Sequence, residues 1–329
     1  MRVTAAALVA LLALPIAAPA ARAGDNDLVL SRLANVVVDE EGDPIDAVGD
    51  SGEFRSLASE LGIVFAPRLS QPADTLGFGG FQFTADVGFT RVNTDRAYWR
   101  ALASSPDPSD PDASHGDRTM TTIGVFARKG IWLPAPSFEV GLGAIHLAGS
   151  EMWAGQFYAK LALIEGYHQL LVPSVALRAG ASRMMGSDQL DLTVVSLDIS
   201  ASKEIGIAGT FNAAPYLGAN WLLVIPRSEV IDKTPNIDSV AQPTDAAMDF
   251  TFADQDDITR YRLFAGVLLR YYVFTLGLEG AFALAGSSVD DRSGTDMDCR
   301  DAADPTSDCD AHDQAGGQAS FTVTAGFDF

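Results

Sequence analysis

A two-residue alternation constrains this chain more than any other feature, and it is clearest at 318–329. There Ala319, Phe321, Val323, Ala325, Phe327 and Phe329 alternate with Gln318, Ser320, Thr322, Thr324, Gly326 and Asp328. Successive side chains of a β-strand point to opposite faces, so one face is apolar and the other polar or very small. The pattern begins at Phe78, where Phe81, Phe83, Ala85, Val87 and Phe89 oppose Gln82, Thr84, Asp86, Gly88 and Thr90. It recurs at 119–129, 137–147, 152–163, 170–182, 190–203, 207–221, 258–270 and 272–285, with phase breaks at His146 and at the start of the Leu190 segment. Each stretch is long enough for a tilted membrane crossing. A bilayer admits a sheet only when closure leaves no unpaired edge. The expected fold is therefore all-β, a transmembrane antiparallel up-and-down β-barrel of about ten strands, or twelve if 63–69 and one further stretch are strands.

The connections alternate in length. Those at 130–136, 165–169, 204–206 and the Tyr271 corner are short, whereas 94–118, 226–257 and 286–317 are long. Outer-membrane barrels have short periplasmic turns and long external loops, and placing Phe329 at the periplasmic end puts all three long segments outside. The ending on Phe329 resembles the terminal strand of Gram-negative outer-membrane β-barrel proteins, in which a final Phe is typical. The resemblance implies that Phe329 is part of an assembly signal read by the barrel-assembly machinery. It also implies residence in the outer membrane after export across the inner one, in contact with lipid and lipopolysaccharide. Tyr98, Trp99, Trp132, Trp153, Trp221, Tyr271 and Tyr272 lie near expected strand ends, where interfacial girdles form.

Residues 1–23 read as a secretory signal: Arg2, an apolar run from Ala5 to Ala18, and Ala21-Arg22-Ala23 as the cleavage site. Residues 24–77 are not strand-like. Residues 28–38 are apolar at near-helical spacing, 39–52 are acidic and turn-rich, and Phe54, Leu57, Ala58 and Leu61 mark a short amphipathic helix. This segment is expected either to lie in the periplasm or to plug the lumen, with the barrel occupying 78–329. In placement, though in no quotable motif, it resembles the amino-terminal hatch of long-chain fatty-acid transporters.

The inward-facing charges Asp86, Arg128, Glu139, Lys160, Arg178, Asp198, Arg260, Arg262 and Glu279 are expected to line the lumen. In a narrow barrel, charges of both signs pair and fill the space, or else leave a constricted polar pore favouring anions. Asp and Glu outnumber Lys and Arg 43 to 22, giving a formal charge of −21, which argues against a nucleic-acid partner. The acidity concentrates in the long loops. Asp296, Asp298, Asp301, Asp304 and Asp308 could hold calcium, although they lack the spacing of an EF-hand, and no other cofactor is expected. Cys299 and Cys309, in an oxidising compartment, are expected to form a local disulfide. Asp310-Ala311-His312 resembles half of the catalytic set of the omptin proteases, but its second acidic pair is missing, so the chain is expected not to be an enzyme. Two functions remain open: a passive channel or transporter for small solutes gated by the amino-terminal segment, or a non-conducting structural or surface-interaction barrel with cation-binding acidic loops.

Overall fold

The computed structural model describes residues 24–41, 44–105, 119–131, 137–165, 172–207, 210–234, 248–252, 255–290 and 311–329. Cys299, Cys309 and the five aspartates expected to hold calcium lie outside the described residues, as do Trp132 and Asp310.

A hairpin of β1 (Ala34–Val38) and β2 (Pro44–Gly49) comes first, followed by helix α1 (Ser51–Val64). The barrel wall is then built from β3 (Phe81–Arg91), β4 (Thr119–Ile131), β5 (Phe138–Leu147), β6 (Trp153–Ile164), β7 (Ser174–Met185) and β8 (Leu190–Ser202). A short β9 (Ile205–Ile207) prolongs the edge of β8, and β10 (Phe211–Ser228) follows. Two-residue strands β11 (Ile231–Asp232) and β12 (Asp249–Phe250) pair in the next loop. The wall resumes with β13 (Ile258–Tyr271) and β14 (Phe274–Ala283), then β15 (Val289–Asp290) and β16 (Ala311–His312) pair in a loop, and β17 (Gln318–Asp328) completes the wall.

Every wall strand pairs antiparallel with its neighbour in sequence order, and β13 pairs with β10 while β17 pairs with β3, so ten strands close with no free edge. The tenth-strand count holds because 63–69 is the end of α1 and an extended stretch, not a strand. Outward positions carry apolar side chains such as Leu142 and Leu217, each 63% exposed, together with Phe157, Ile199 and Leu263. An apolar outer belt of this size around a closed ladder is stable in hydrocarbon and not in water. The protein is a transmembrane β-barrel of the outer-membrane type.

The loops 92–118, 229–257 and 284–317 share one rim, here the loop rim, with the tight hairpins at 148–152 and 186–189. Phe329 lies at the other rim, exchanging backbone hydrogen bonds with Phe81 (2.9 and 2.8 Å). Exposed Tyr271, Tyr272 and Phe274 join it there, and Trp153 is exposed at the loop rim. Tyr98 and Trp99 do not join a girdle: both are buried, in a 3-10 turn (Ala97–Ala101) folded over the barrel mouth, because their polar atoms find a carboxylate there. Nor is 28–38 helical beyond the single 3-10 turn Leu30–Leu33. The run Val36-Val37-Val38 is β-branched, which disfavours helix and suits the strand it forms with β2.

Candidate functional site

The lumen is the site that the sequence points to, and the chain's own amino-terminal segment occupies it. Helix α1 starts at the loop rim, where Asp50 caps it by accepting from the Glu53 amide (2.9 Å). Its apolar face, Phe54, Leu57, Ala58 and Leu61, is buried, and so is its polar face, Arg55, Ser56, Ser59 and Glu60. Two-sided burial requires a partner for each polar group, and the loops supply them. Glu60 accepts from the Tyr98 hydroxyl (2.6 Å), Trp99 Nε1 (3.0 Å), the Asn93 amide (3.1 Å) and the Gly316 amide (3.4 Å). Burial beside that carboxylate holds the Tyr98 phenol well above its usual range. Glu53 pairs with Arg100 (2.6 Å); burial pushes its carboxyl up, and Arg100 pulls it partly back. Ser59 donates to Asp313 (2.6 Å) and accepts from Arg260 Nη1 (2.6 Å).

Pro67, Pro72 and three glycines between 77 and 80 prevent the helix from continuing, and the chain descends the bore in extended form. Along the descent the chain meets a succession of wall residues. Gln156 donates to the Phe65 and Ala66 carbonyls (3.3 and 3.2 Å), and Arg262 to the Pro67 carbonyl (3.0 Å). Arg68 pairs with Asp86 (3.4 Å) and donates to the Thr122 hydroxyl. Arg178 donates to the Leu69 carbonyl (3.3 Å) while bonded to Asp198 (3.0 Å). Lys160, paired with Glu139 (3.1 Å), also donates to the carbonyls of Pro72 (3.3 Å) and Asp74 (2.8 Å). Asp74 accepts from the Ser174 and Ser202 hydroxyls, and the Leu76 amide donates to Glu139 (3.0 Å). A cavity of about 290 Å³ remains where the segment reaches the Phe329 rim, lined in part by Asp74, Arg128, Lys160, Glu204 and Arg270.

All nine charges expected in the lumen face inward and are buried: Asp86, Arg128, Glu139, Lys160, Arg178, Asp198, Arg260, Arg262 and Glu279. Arg128 donates to Gln82 (2.7 Å), and Glu279 accepts from the Tyr216 hydroxyl (2.9 Å). The wall charges hold the axial segment through its carbonyls, the Leu76 amide and Arg68, and wall serines hold it through Asp74. The site residues that the sequence reading passed over are Glu60, Arg68, Asp74 and Gln71, whose side-chain amide lies 3.0 Å from the Tyr158 hydroxyl. For Arg68, Gln71 and Asp74 the signal was polar side chains among prolines in a stretch with no strand alternation, which has no period to detect, whereas Glu60 looked like part of a solvated helix face. Close approach depends on glycine at two points: a Cβ on Gly88 would lie 2.6 Å from the Arg68 guanidinium, and one on Gly62 would lie 2.5 Å from Val224 Cγ2.

Of the Asp310-Ala311-His312 run, Ala311 and His312 are among the described residues and Asp310 is not. His146 hydrogen-bonds the Ser150 carbonyl (3.0 Å) and packs on Trp153, and His312 sits on β16 in a loop. Among the described residues no cluster of three metal-ligating side chains occurs.

No family model and no curated protein matches this chain. Solved structures similar to it include the attachment invasion locus protein Ail of Yersinia pestis, at 11% identity over 77% of this chain and 99% of that one, with a TM-score of 0.26. Neisserial surface protein A shares 11% identity over 76% and 97%, with a TM-score of 0.27. The outer membrane protease OmpT from Escherichia coli shares 11% over 78% and 99%, with a TM-score of 0.31. Scores this low leave the assignment resting on the chain's own closed ladder and apolar exterior.

Proposed function

We propose that the protein is a sealed barrel of the outer membrane, with the Phe329 rim in the periplasm and the long acidic loops outside, and that it acts at the cell surface and not as an open pore. The observation that supports this is the axial segment: residues 65–77 fill the bore and are hydrogen-bonded to the wall on several sides. A ten-stranded interior is little wider than the eight-stranded barrels that side chains alone can fill, so an extended chain leaves small solutes no continuous path. Passage would require the segment to leave, stripping Arg68, Arg178, Lys160 and Arg262 of partners they hold away from water, a cost of several kcal/mol. On this reading the protein is not an enzyme, and its loops are the part that meets cations, lipopolysaccharide or another cell.

Planar-bilayer recording on the refolded full-length protein tests the proposal. The trace is expected to stay silent in symmetric salt, with no steps above background. Steady single-channel openings in most insertions would contradict the sealed reading and restore the channel for small solutes.

A further inference from the structure

Counting passes through the membrane places the residues that precede the plug. Ten wall strands return the chain to the rim where it began, which is why Phe81 and Phe329 can pair backbone to backbone. The axial segment is one more pass. It starts at the loop rim and ends beside Phe81, so the described chain crosses the bilayer an odd number of times. Residues 24–50 must then lie on the opposite side from Phe329. Their contacts agree: the Asn26 amide donates to the Gly149 carbonyl (2.9 Å), Asp27 accepts from the Glu151 amide (2.7 Å), and the Leu30 amide donates to Gln189 (2.6 Å). Gly149, Glu151 and Gln189 all belong to the two tight hairpins of the loop rim.

We infer that the barrel carries residues 24–50 through its own lumen and displays them on the far face of the membrane, which in the orientation proposed above is the cell surface. Three features support this. First, the passage is lined: Arg178, Arg262 and Lys160 donate to carbonyls of the axial segment, Glu139 accepts from its Leu76 amide and Asp86 pairs with its Arg68, so the segment is a built part of the bore. Second, the displayed part is held to the rim from several sides, since Lys233 donates to the Ser31 carbonyl (3.2 Å) and the Ala34 carbonyl (2.6 Å) from a different loop. Third, it presents an ordered element to solvent: the β1–β2 hairpin, with Val36, Val37, Val38 and Ile45 exposed and Glu40 and Glu41 beyond the end of β1. A segment destined for the periplasm would need neither the passage nor the anchorage. Which face is outside rests on the orientation under Proposed function; the opposition of residues 24–50 to Phe329 does not.

Single-cysteine labelling of intact cells separates the two. In a full-length background with Cys299→Ser and Cys309→Ser, Glu40→Cys reports the hairpin, Asp188→Cys the loop rim and Tyr272→Cys the Phe329 rim. The reagent is a polyethylene-glycol maleimide too large to pass porins, and a heat-dependent gel shift confirms that each variant is folded. Glu40→Cys and Asp188→Cys are expected to label to the same extent on intact cells, and Tyr272→Cys only after the outer membrane is opened. Labelling of Asp188→Cys with protection of Glu40→Cys would overturn the inference and leave the orientation standing. Labelling of Tyr272→Cys alone would overturn the orientation, and with it the surface placement, while Glu40→Cys protected together with Asp188→Cys would keep the two sides opposed.

Discussion

Glu60 shows how single residues hold the cap on the barrel. Its carboxylate accepts hydrogen bonds from two aromatic side chains and two backbone amides that come from two different loops. Glu60→Ala would leave these donors buried without an acceptor, at roughly 3 kcal/mol or more in total. Trypsin cutting at Arg96 and Arg100 is then expected to accelerate on the order of a hundredfold, provided that cleavage follows the open population. Asp313 adds a pH dependence. Burial raises its carboxyl above the ordinary 3.8, against hydrogen bonds from Ser59 and the Ala315 amide and the nearby charges of Arg260 and Arg55, which all pull it down. A raised folded value means that the native state holds the proton more tightly than the unfolded one. Its contribution is therefore complete below 3.8 and is lost as pH rises through the folded value. Hydrogen exchange at the Gln314 amide is expected to slow as pH falls through that window, after correction for intrinsic exchange. Asp313→Asn should flatten the response, and an unchanged slope would remove Asp313 from the account.

At the scale of the element, helix α1 meets the wall at a point that admits no side chain. Gly62→Leu would force at least a methylene into space already held by Val224, destabilising by about 1–3 kcal/mol. The temperature at which the compact gel form is lost should drop accordingly, and Val224→Ala in the same chain should recover most of it. The elements differ in how far the sequence discloses them. Wall strands were legible because burial on one side and lipid on the other impose a period of two, as in β3, which alternates without exception. Even there the ends were blurred: β10 runs on from Trp221 to Ser228 because its upper part pairs with β8 beyond the apolar belt. The helix was legible from its apolar face, but its polar face gave no sign of being buried, since Arg55, Ser59 and Glu60 look like a solvated stripe. The axial segment was least legible, because it is bound through its carbonyls, and those are the same in every residue. Tyr98 and Trp99 misled for a related reason: an aromatic with a polar edge suits a membrane interface and a buried carboxylate equally.

For the whole molecule, the arrangement of charge follows from the plug. The wall's inward charges are of both signs and are spent on each other and on the segment that fills the bore, whereas the acidic excess behind the formal −21 includes dense aspartate runs in the long loops. The filled lumen and the crossing number both depend on residues 65–77 lying inside. Ala73 and Ser202 test that directly, because the Ala73 amide donates to the Ser202 hydroxyl (3.0 Å) towards the Phe329 end of the bore. In a chain carrying Cys299→Ser and Cys309→Ser, the pair Ala73→Cys and Ser202→Cys is expected to form a disulfide nearly completely on mild oxidation of the folded protein in membranes, whereas Ala73→Cys with Thr90→Cys, at the other end of the bore, should not. Failure of the first pair to cross-link in protein that retains its heat-dependent gel shift would contradict the account.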